Sequence, residues 1–248
     1  MLKATRLEKL FTYIRDHESA SFRDLEEHFG VSKSTLRRDL MAMESTHPIQ
    51  LTRGGVILVQ ENKAEPVAMN QIDKIGQKAA ELVQDDDMVM LDAGRTTLAV
   101  AKAICTKGLK NLTVVATSLA VVETFDSYPY DINLVILGGE YRGKIRSVVG
   151  PVAEEGVRNF RGAKLFIGCT ALAEDGFYTT YLSEISVRRL AIESAQTVIL
   201  VLQSEKFDHP QGYLVDKLDC IDWIVTDKIP NQWKTLLDAK GIQVFLTE

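Results

Sequence analysis

Short apolar runs recur from Asp87 to the end of the chain, and several of them are followed by a stretch with helical character. Apolar strands that alternate with helices are typical of a mainly parallel sheet with helices on both faces. The sequence therefore predicts an α/β domain with a mainly parallel sheet over residues 87–248. The predicted strands cover residues 88–91, 112–115, 134–137, 165–167, 198–202, 221–225 and 244–246, and the predicted helices cover residues 97–104, 119–125 and 184–195.

The first 60 residues follow a different pattern, which predicts three short helices. Apolar residues between positions 7 and 14 recur at the spacing of one helix face. Ser21 is suited to cap a second helix, and Gly30 is suited to end that helix in a left-handed conformation. Ser32 is suited to cap a third helix that begins at Lys33. Residues 29–32 therefore read as a tight turn between two helices.

The third helix is predicted to have two distinct faces. Leu36 and Leu40 share the face directed at the core, and Arg38 lies nearly opposite it. An arginine can donate two hydrogen bonds to guanine in the major groove, and the first turn of a helix favours a phosphate. The candidate DNA-binding residues of this helix are Lys33, Ser34, Thr35, Arg37 and Arg38.

Two short strand-like runs on either side of Gly54-Gly55 predict a hairpin directly after the third helix. Such a hairpin is the wing of a winged helix-turn-helix, and Arg53 near its tip is suited to contact phosphate or the minor groove. The alternative is a plain three-helix bundle, because pairs of solvated arginines on exposed helix faces are common.

The predicted organisation has three parts. Residues 1–60 form the winged helix-turn-helix, residues 61–86 form a linker with a connecting helix, and residues 87–248 form the α/β domain. The linker assignment rests on the polar, proline-containing stretch 62–66 and on the helical spacing of apolar residues between positions 72 and 83.

The charge of the chain permits nucleic acid as a partner. The net charge is −5, but residues 1–58 hold nine Lys/Arg and eight Asp/Glu, so the head carries +1 and the remainder −6. A near-neutral head on an acidic body is compatible with DNA binding if its basic groups cluster.

Cysteine usage and hydropathy argue against several other classes. Cys105, Cys169 and Cys220 lie far apart and no histidines cluster, so neither a structural metal site nor a disulfide framework is expected. No cofactor is predicted either. No apolar run approaches the ~20 residues that cross a membrane, and the first residues lack a secretory pattern. We therefore expect a cytoplasmic protein without a membrane partner.

Polar and glycine-containing loops follow several of the predicted strands. Ligands of such sheets bind beyond the carboxyl ends of the strands, and a helix N-terminus there favours an anion. Arg95 adds a positive charge suited to phosphate. The candidate effector-binding residues are Asp92, Gly94, Arg95, Thr96, Thr97, Thr117, Ser118, Gly138, Gly139, Glu184 and Lys206.

Each of these loops also has a purely structural interpretation. Gly94 and Gly138-Gly139 are compatible with simple turns, Thr97 with a helix cap, and Lys206 with a solvated side chain. The loops carry neither a Walker motif nor the dinucleotide-binding G-x-G-x-x-G pattern.

The head resembles the DNA-binding domain of the DeoR family. The resemblance rests on Gly54-Gly55 and on the run Val31-Ser32-x-x-Thr35-Leu36-Arg37-Arg38-Asp39-Leu40. It implies DNA contacts from Ser34, Thr35, Arg37 and Arg38. The sequence departs from the family where His47 replaces glycine, Leu51 replaces arginine and Arg53 replaces histidine.

The body resembles the DeoR sensor domain, whose fold is like that of ribose-5-phosphate isomerase and glucosamine-6-phosphate deaminase. The resemblance implies a phosphorylated sugar or polyol as the effector. Arg95 replaces the family's serine or threonine, Ala116-Thr117 replaces Thr-Asn, and Gln203 replaces aspartate. The matching positions are Asp92, Gly94, Thr96, Thr97, Ser118, Gly138, Gly139, Gly150, Gly176, Glu184, Ser204, Lys206 and Phe207.

The resemblance implies a repressor of sugar-metabolism genes that binds double-stranded operator DNA and responds to a phosphorylated sugar or polyol. Because one winged head touches few base pairs, we also expect a homo-oligomer, a dimer or larger. An isomerase with an accessory DNA-binding head is the competing class. There, Glu184 or Asp175 would transfer protons and Lys206 would bind the phosphate. A DNA-binding scaffold without a ligand is the third alternative, and the polar glycine loops count against it.

Overall fold

The computed structural model describes residues 3–17, 19–44, 49–52, 54–58, 70–126, 128–130 and 132–247. The chain divides into two compact units, Met1–Val67 and Ala68–Glu248. The described elements of the smaller unit are α1 Lys3–His17, β1 Ser19–Ser21, α2 Phe22–Phe29, α3 Lys33–Glu44, β2 Ile49–Leu51 and β3 Gly55–Leu58.

The helix-turn-helix forms where the capping residues predict it. Ser21 and Asp24 form a reciprocal capping box at the start of α2. Gly30 ends α2 in the left-handed conformation, with φ 65°, and α3 begins three residues later. The apolar faces of α1, α2 and α3 meet in one core, whose fully buried members include Leu10, Leu25 and Leu36.

The predicted hairpin is present and has a third strand that the sequence analysis did not predict. β2 and β3 pair antiparallel, and β1 pairs with the other edge of β3. Gly55 permits this arrangement, because a Cβ there would lie 2.1 Å from the carbonyl oxygen of Ala20. The smaller unit is therefore a winged helix-turn-helix rather than a plain helical bundle.

The larger unit contains strands and helices in alternation. Its described elements are α4 Gln71–Ala80, β4 Met88–Leu91, α5 Arg95–Lys107, β5 Leu112–Ala116, α6 Leu119–Phe125, β6 Ile132–Ile136, β7 Glu140–Arg142, β8 Ser147–Val149, α7 Pro151–Arg158, β9 Ala163–Ile167, β10 Ala171–Ala173, β11 Gly176–Thr179, α8 Ile185–Ser194, β12 Ala195–Val201, β13 Tyr213–Asp216, β14 Trp223–Thr226, α9 Asn231–Ala239 and β15 Gln243–Leu246.

A seven-stranded parallel sheet forms the centre of this unit, in the order β15-β14-β12-β9-β4-β5-β6. Successive side chains of β4 point to opposite faces. Val89 and Leu91 pack with α4, α5 and α6, whereas Met90 packs with α7, α8 and α9. The predicted α/β fold class is therefore confirmed.

Helix α4, which falls within the predicted 61–86 segment, packs inside the larger unit. Its Gly76 lies so close to α5 that a Cβ would be 2.6 Å from the backbone carbon of Ala99. The first nine residues of that predicted segment lie outside the described residues.

Two antiparallel additions flank the parallel sheet. β7 and β8 form a hairpin between β6 and α7, and β10, β11 and β13 form a three-stranded sheet. Neither addition was predicted from the sequence. At the centre of the main sheet, the carboxyl ends of β9, β4 and β5 lie side by side, so the loops after them converge at one edge.

Candidate functional site

The exposed face of α3 carries the predicted DNA-binding residues. Lys33, Ser34, Arg37 and Arg38 are exposed, and Thr35 is half-buried. The opposite face of the helix is buried in the core of the smaller unit. The predicted wing residue Arg53 lies outside the described residues.

Contacts with α1 and α2 fix the orientation of α3. The Arg6 Nε lies 2.7 Å from an Asp39 carboxylate oxygen, and Asp39 is 2% exposed. The backbone N–H of Lys33 donates to Glu26, and the Lys33 ammonium lies 5.2 Å from the ring centre of Phe22. Asp39 therefore points inward, next to two arginines that point outward.

A cavity of about 550 Å³ opens beside the carboxyl ends of β4, β5 and β9. This volume is suited to a small ligand. Seven of the predicted effector-binding residues line it, namely Gly94, Arg95, Thr96, Thr97, Ser118, Glu184 and Lys206.

The other four predicted residues do not line the cavity. Thr117 supports the β7–β8 hairpin, because its carbonyl oxygen accepts hydrogen bonds from that hairpin. Gly138 and Gly139 lead into the same hairpin. Asp92 lies beneath the cavity and contacts a lining residue, Arg188.

Arg188 is the principal residue of the site that the sequence analysis missed. It projects from α8 and is 7% exposed, and one terminal guanidinium nitrogen lies 2.8 Å from Asp92 and 3.4 Å from Glu184. The Asp92 contact is an ion pair rather than an aligned hydrogen bond. Thr179 donates a hydrogen bond of 2.7 Å to Glu184. The i, i+4 spacing of Glu184 and Arg188 was the available sequence signal.

Burial changes the protonation equilibria of this cluster. Desolvation raises the pKa of Asp92 to about 6, although the positive charge of Arg188 opposes the shift. Desolvation lowers the pKa of Arg188, but the Asp92 and Glu184 carboxylates outweigh it and keep the pKa above its ordinary value. Burial also raises the pKa of the lining residue Cys169 to about 11, so its thiol is neutral at pH 7.

Hydrogen bonds at the two ends of a short 3₁₀ turn, Ser204–Lys206, link the cavity to the first helix of the larger unit. Lys206 donates to the Cys169 carbonyl oxygen at 2.6 Å and closes a short 3₁₀ turn that starts at Ser204. The N–H and hydroxyl of Ser204 each donate to Asp227 at 2.7 Å. Gln71, the first residue of α4, donates to the same carboxylate.

None of the helices in the described ranges is long and apolar enough to cross a membrane. Two family models match the chain. A DeoR-like helix-turn-helix domain matches residues 6–62, and a DeoR C terminal sensor domain matches residues 68–228.

Several transcriptional repressors align with this chain over nearly their whole length. The HTH-type transcriptional repressor GlcR of Bacillus subtilis is 29% identical over 100% of this chain and 98% of its own. The lactose phosphotransferase system repressor of Lactococcus lactis is 29% identical over 92% of each chain. A ribose 5-phosphate isomerase from Methanocaldococcus jannaschii aligns with 55% of this chain and 53% of its own, at 15% identity and a TM-score of 0.39.

Proposed function

The chain belongs to the DeoR family of helix-turn-helix transcriptional regulators, and on that premise we propose that it represses sugar-metabolism genes under the control of a phosphorylated sugar or polyol. The head binds double-stranded operator DNA through α3 and the wing. The cavity of the larger unit binds the effector. We place the protein in the cytoplasm, where its DNA lies.

The observation that carries the effector proposal is the position of Arg95. It is the first residue of α5 and lines the cavity, next to the backbone N–H groups of a helix N-terminus. Thr96 and Lys206 supply further hydrogen-bond donors, whereas the Thr97 hydroxyl donates to the Gly94 carbonyl oxygen. A phosphate at this place would accept hydrogen bonds from several groups and form an ion pair with the Arg95 guanidinium.

We expect Arg95→Ala to weaken binding of the effector by about 10- to 100-fold, because a hydrogen bond to a charged group contributes about 1.5–3 kcal/mol. A panel of pentose and hexose phosphates is first screened by thermal shift, since a ligand that binds the folded state raises the melting temperature. The best ligand is then titrated against the wild type and Arg95→Ala. Lys102→Ala is the control, because Lys102 is exposed on the same helix and does not line the cavity.

Two results of this experiment would contradict the proposal. One is a panel in which no sugar phosphate raises the melting temperature. The other is a ligand that binds without changing the affinity for operator DNA, because a regulatory ligand must favour one conformation of the protein over another.

We propose that the protein is a regulator without isomerase activity. Asp175, one of the two candidate proton-transfer groups, does not line the cavity and accepts a hydrogen bond from Tyr178. Glu184 does line the cavity, but one of its oxygens is held by both Arg188 and Thr179. Product analysis after incubation with the same sugar phosphates tests this, and turnover above the buffer background would contradict it.

We propose that ligand binding affects the DNA-binding head through the contacts that run from Lys206 to Gln71. A ligand that draws Lys206 toward its phosphate would move the 3₁₀ turn, and with it the Ser204–Asp227 contact. Asp227 also holds the beginning of α4, which follows the segment joined to the head.

We expect Gln71→Ala to leave effector affinity within about twofold of the wild type but to reduce the effect of the ligand on operator affinity by roughly fivefold. Coupling free energies of this kind are typically about 1–3 kcal/mol, so loss of one link has a measurable effect. The measurement is operator affinity with and without saturating ligand. Gln84→Ala, an exposed change beyond the other end of α4, is the control. Full coupling in Gln71→Ala would exclude this route.

A further inference from the structure

The turn between β7 and β8 forms a second basic part of the cavity wall. Lys144, Ile145 and Arg146 belong to this turn, and all three line the cavity. The turn is closed by a hydrogen bond of 3.2 Å from the N–H of Ile145 to the carbonyl oxygen of Arg142. The cavity therefore has basic groups on the α5 side and on the hairpin side.

Several contacts hold the hairpin against the end of β5. The N–H of Val148 and the hydroxyl of Ser147 both donate to the Thr117 carbonyl oxygen, at 2.9 and 3.2 Å. Ser147 also forms a bridge with Ser118. Arg146 lies 3.1 Å from Glu123 on α6. The basic turn is thus fixed in position by bonds to neighbouring elements.

The charges around the cavity do not balance. Arg188 is paired with two carboxylates, Asp92 and Glu184, and Arg146 is paired with Glu123. Arg95, Lys144 and Lys206 line the cavity with no carboxylate partner in the part of the chain that the structure describes. One phosphate carries about −1.5 to −2 at pH 7, and a phosphate bound beside Arg95 at the beginning of α5 would leave Lys144, on the hairpin side, without an anionic partner.

We infer that the ligand of this cavity carries two separated anionic groups, a phosphate on the α5 side and a second anion bound by Lys144 of the β7–β8 turn. This inference rests on the proposed function and specifies its ligand class. The second anion is a carboxylate, as in a phosphorylated sugar acid, or a second phosphate, as in a sugar bisphosphate. Both would place negative charge beside the turn.

The test compares ligands that differ only in the second anion, by calorimetric titration of the full chain. The first pair is glucitol 6-phosphate and 6-phosphogluconate, which are both open-chain, and the second is fructose 6-phosphate and fructose 1,6-bisphosphate. Gluconate controls for the carboxylate alone. We expect the two-anion member of at least one pair to bind roughly tenfold more tightly than its partner. The pair that shows the gain distinguishes a carboxylate from a second phosphate.

Lys144→Ala should abolish this gain and leave the one-anion ligand within about twofold of its wild-type affinity. Lys234→Ala removes the same charge from an exposed position on α9 outside the cavity wall, and should retain the gain.

Equal affinities within both pairs, or a gain that survives Lys144→Ala, would overturn the inference. If a one-anion ligand releases operator DNA, the proposed function stands and only this inference fails. If no member of the panel binds, both fail.

Discussion

Replacement of both Arg37 and Arg38 by alanine is expected to weaken specific operator binding by the folded protein at least about 30-fold. Both side chains are exposed on α3, and neither contributes to the buried face of the helix. A base-reading arginine contributes about 1–3 kcal/mol, so the two together account for roughly 2–6 kcal/mol, or about 30-fold to 10⁴-fold in affinity. The measurement is fluorescence anisotropy with a duplex selected by the wild-type protein from random sequences.

The control for this experiment removes the same two charges elsewhere on the head. Lys9 and Arg23 are exposed on α1 and α2, and the variant Lys9→Ala/Arg23→Ala has the same net charge as the Arg37/Arg38 variant. It should retain most of the affinity, with only a modest loss from weaker long-range attraction. Wild-type affinity in the folded Arg37/Arg38 variant would show that α3 is not the recognition helix.

The stoichiometry of the same complex tests the proposed homo-oligomer. One winged head contacts few base pairs, and useful specificity normally comes from two half-sites that are related by the symmetry of a dimer. We therefore expect at least two chains on each selected duplex. Light scattering that gives one chain on each duplex at micromolar concentration would contradict the assembly.

The sequence predicts the fold best where a single local rule decides the structure. Four consecutive apolar residues predict β4 with the observed bounds, 88–91, and helical spacing predicts α6 with the observed bounds, 119–125. Two helices were missed although their signals were present. Pro151 is the first residue of α7, and Trp233 and Leu237 lie at i, i+4 spacing in α9.

The short antiparallel strands could not be predicted from local patterns. All three residues of β7 are exposed, so the strand shows no apolar alternation. Its hairpin is positioned by hydrogen bonds to Thr117, which is 30 residues from Ser147 in the chain. For the same reason, the rule that ligands bind beyond strand ends predicts Arg95 and Lys206, but gives no indication of the basic turn.

Arg188 was missed because sequence patterns treat a charged residue on a helix as solvated. In the structure, the sheet covers α8 and the guanidinium is buried against two carboxylates, that of Glu184 one helical turn earlier and that of Asp92 from a distant part of the chain. Buried charges persist in proteins when they are paired. Asp92 therefore acts on the cavity through its contact with Arg188, a role that its position after β4 does not reveal.

Arg188→Met is expected to destabilise the larger unit by about 3–5 kcal/mol at pH 7.5, because removal of one partner leaves buried charge without compensation. Methionine fills much of the same space, so the loss of stability comes mainly from the missing charge and less from lost volume. The measurement is urea unfolding of the full chain, monitored by circular dichroism. The triple variant Arg188→Met/Asp92→Asn/Glu184→Gln should recover most of the lost stability, because it contains neither the cation nor the two anions.

The pH dependence of the stability lost in Arg188→Met distinguishes the contribution of the Arg188 charge from that of its packing. A carboxyl whose pKa is higher in the folded state than in the unfolded state destabilises the fold as the pH rises between the two values. For Asp92, these values are about 6 and the ordinary 3.8, and Arg188 is the group that keeps the folded value from rising further. In Arg188→Met, the folded-state pKa of Asp92 rises further, so the pH range over which Asp92 destabilises the fold extends upward. At a pH below this range Asp92 is protonated and needs no cation beside it. The stability deficit should shrink as the pH falls from 7.5 to 5. A deficit that is the same at both pH values, with no recovery in the triple variant, would mean that Arg188 stabilises the fold by packing alone.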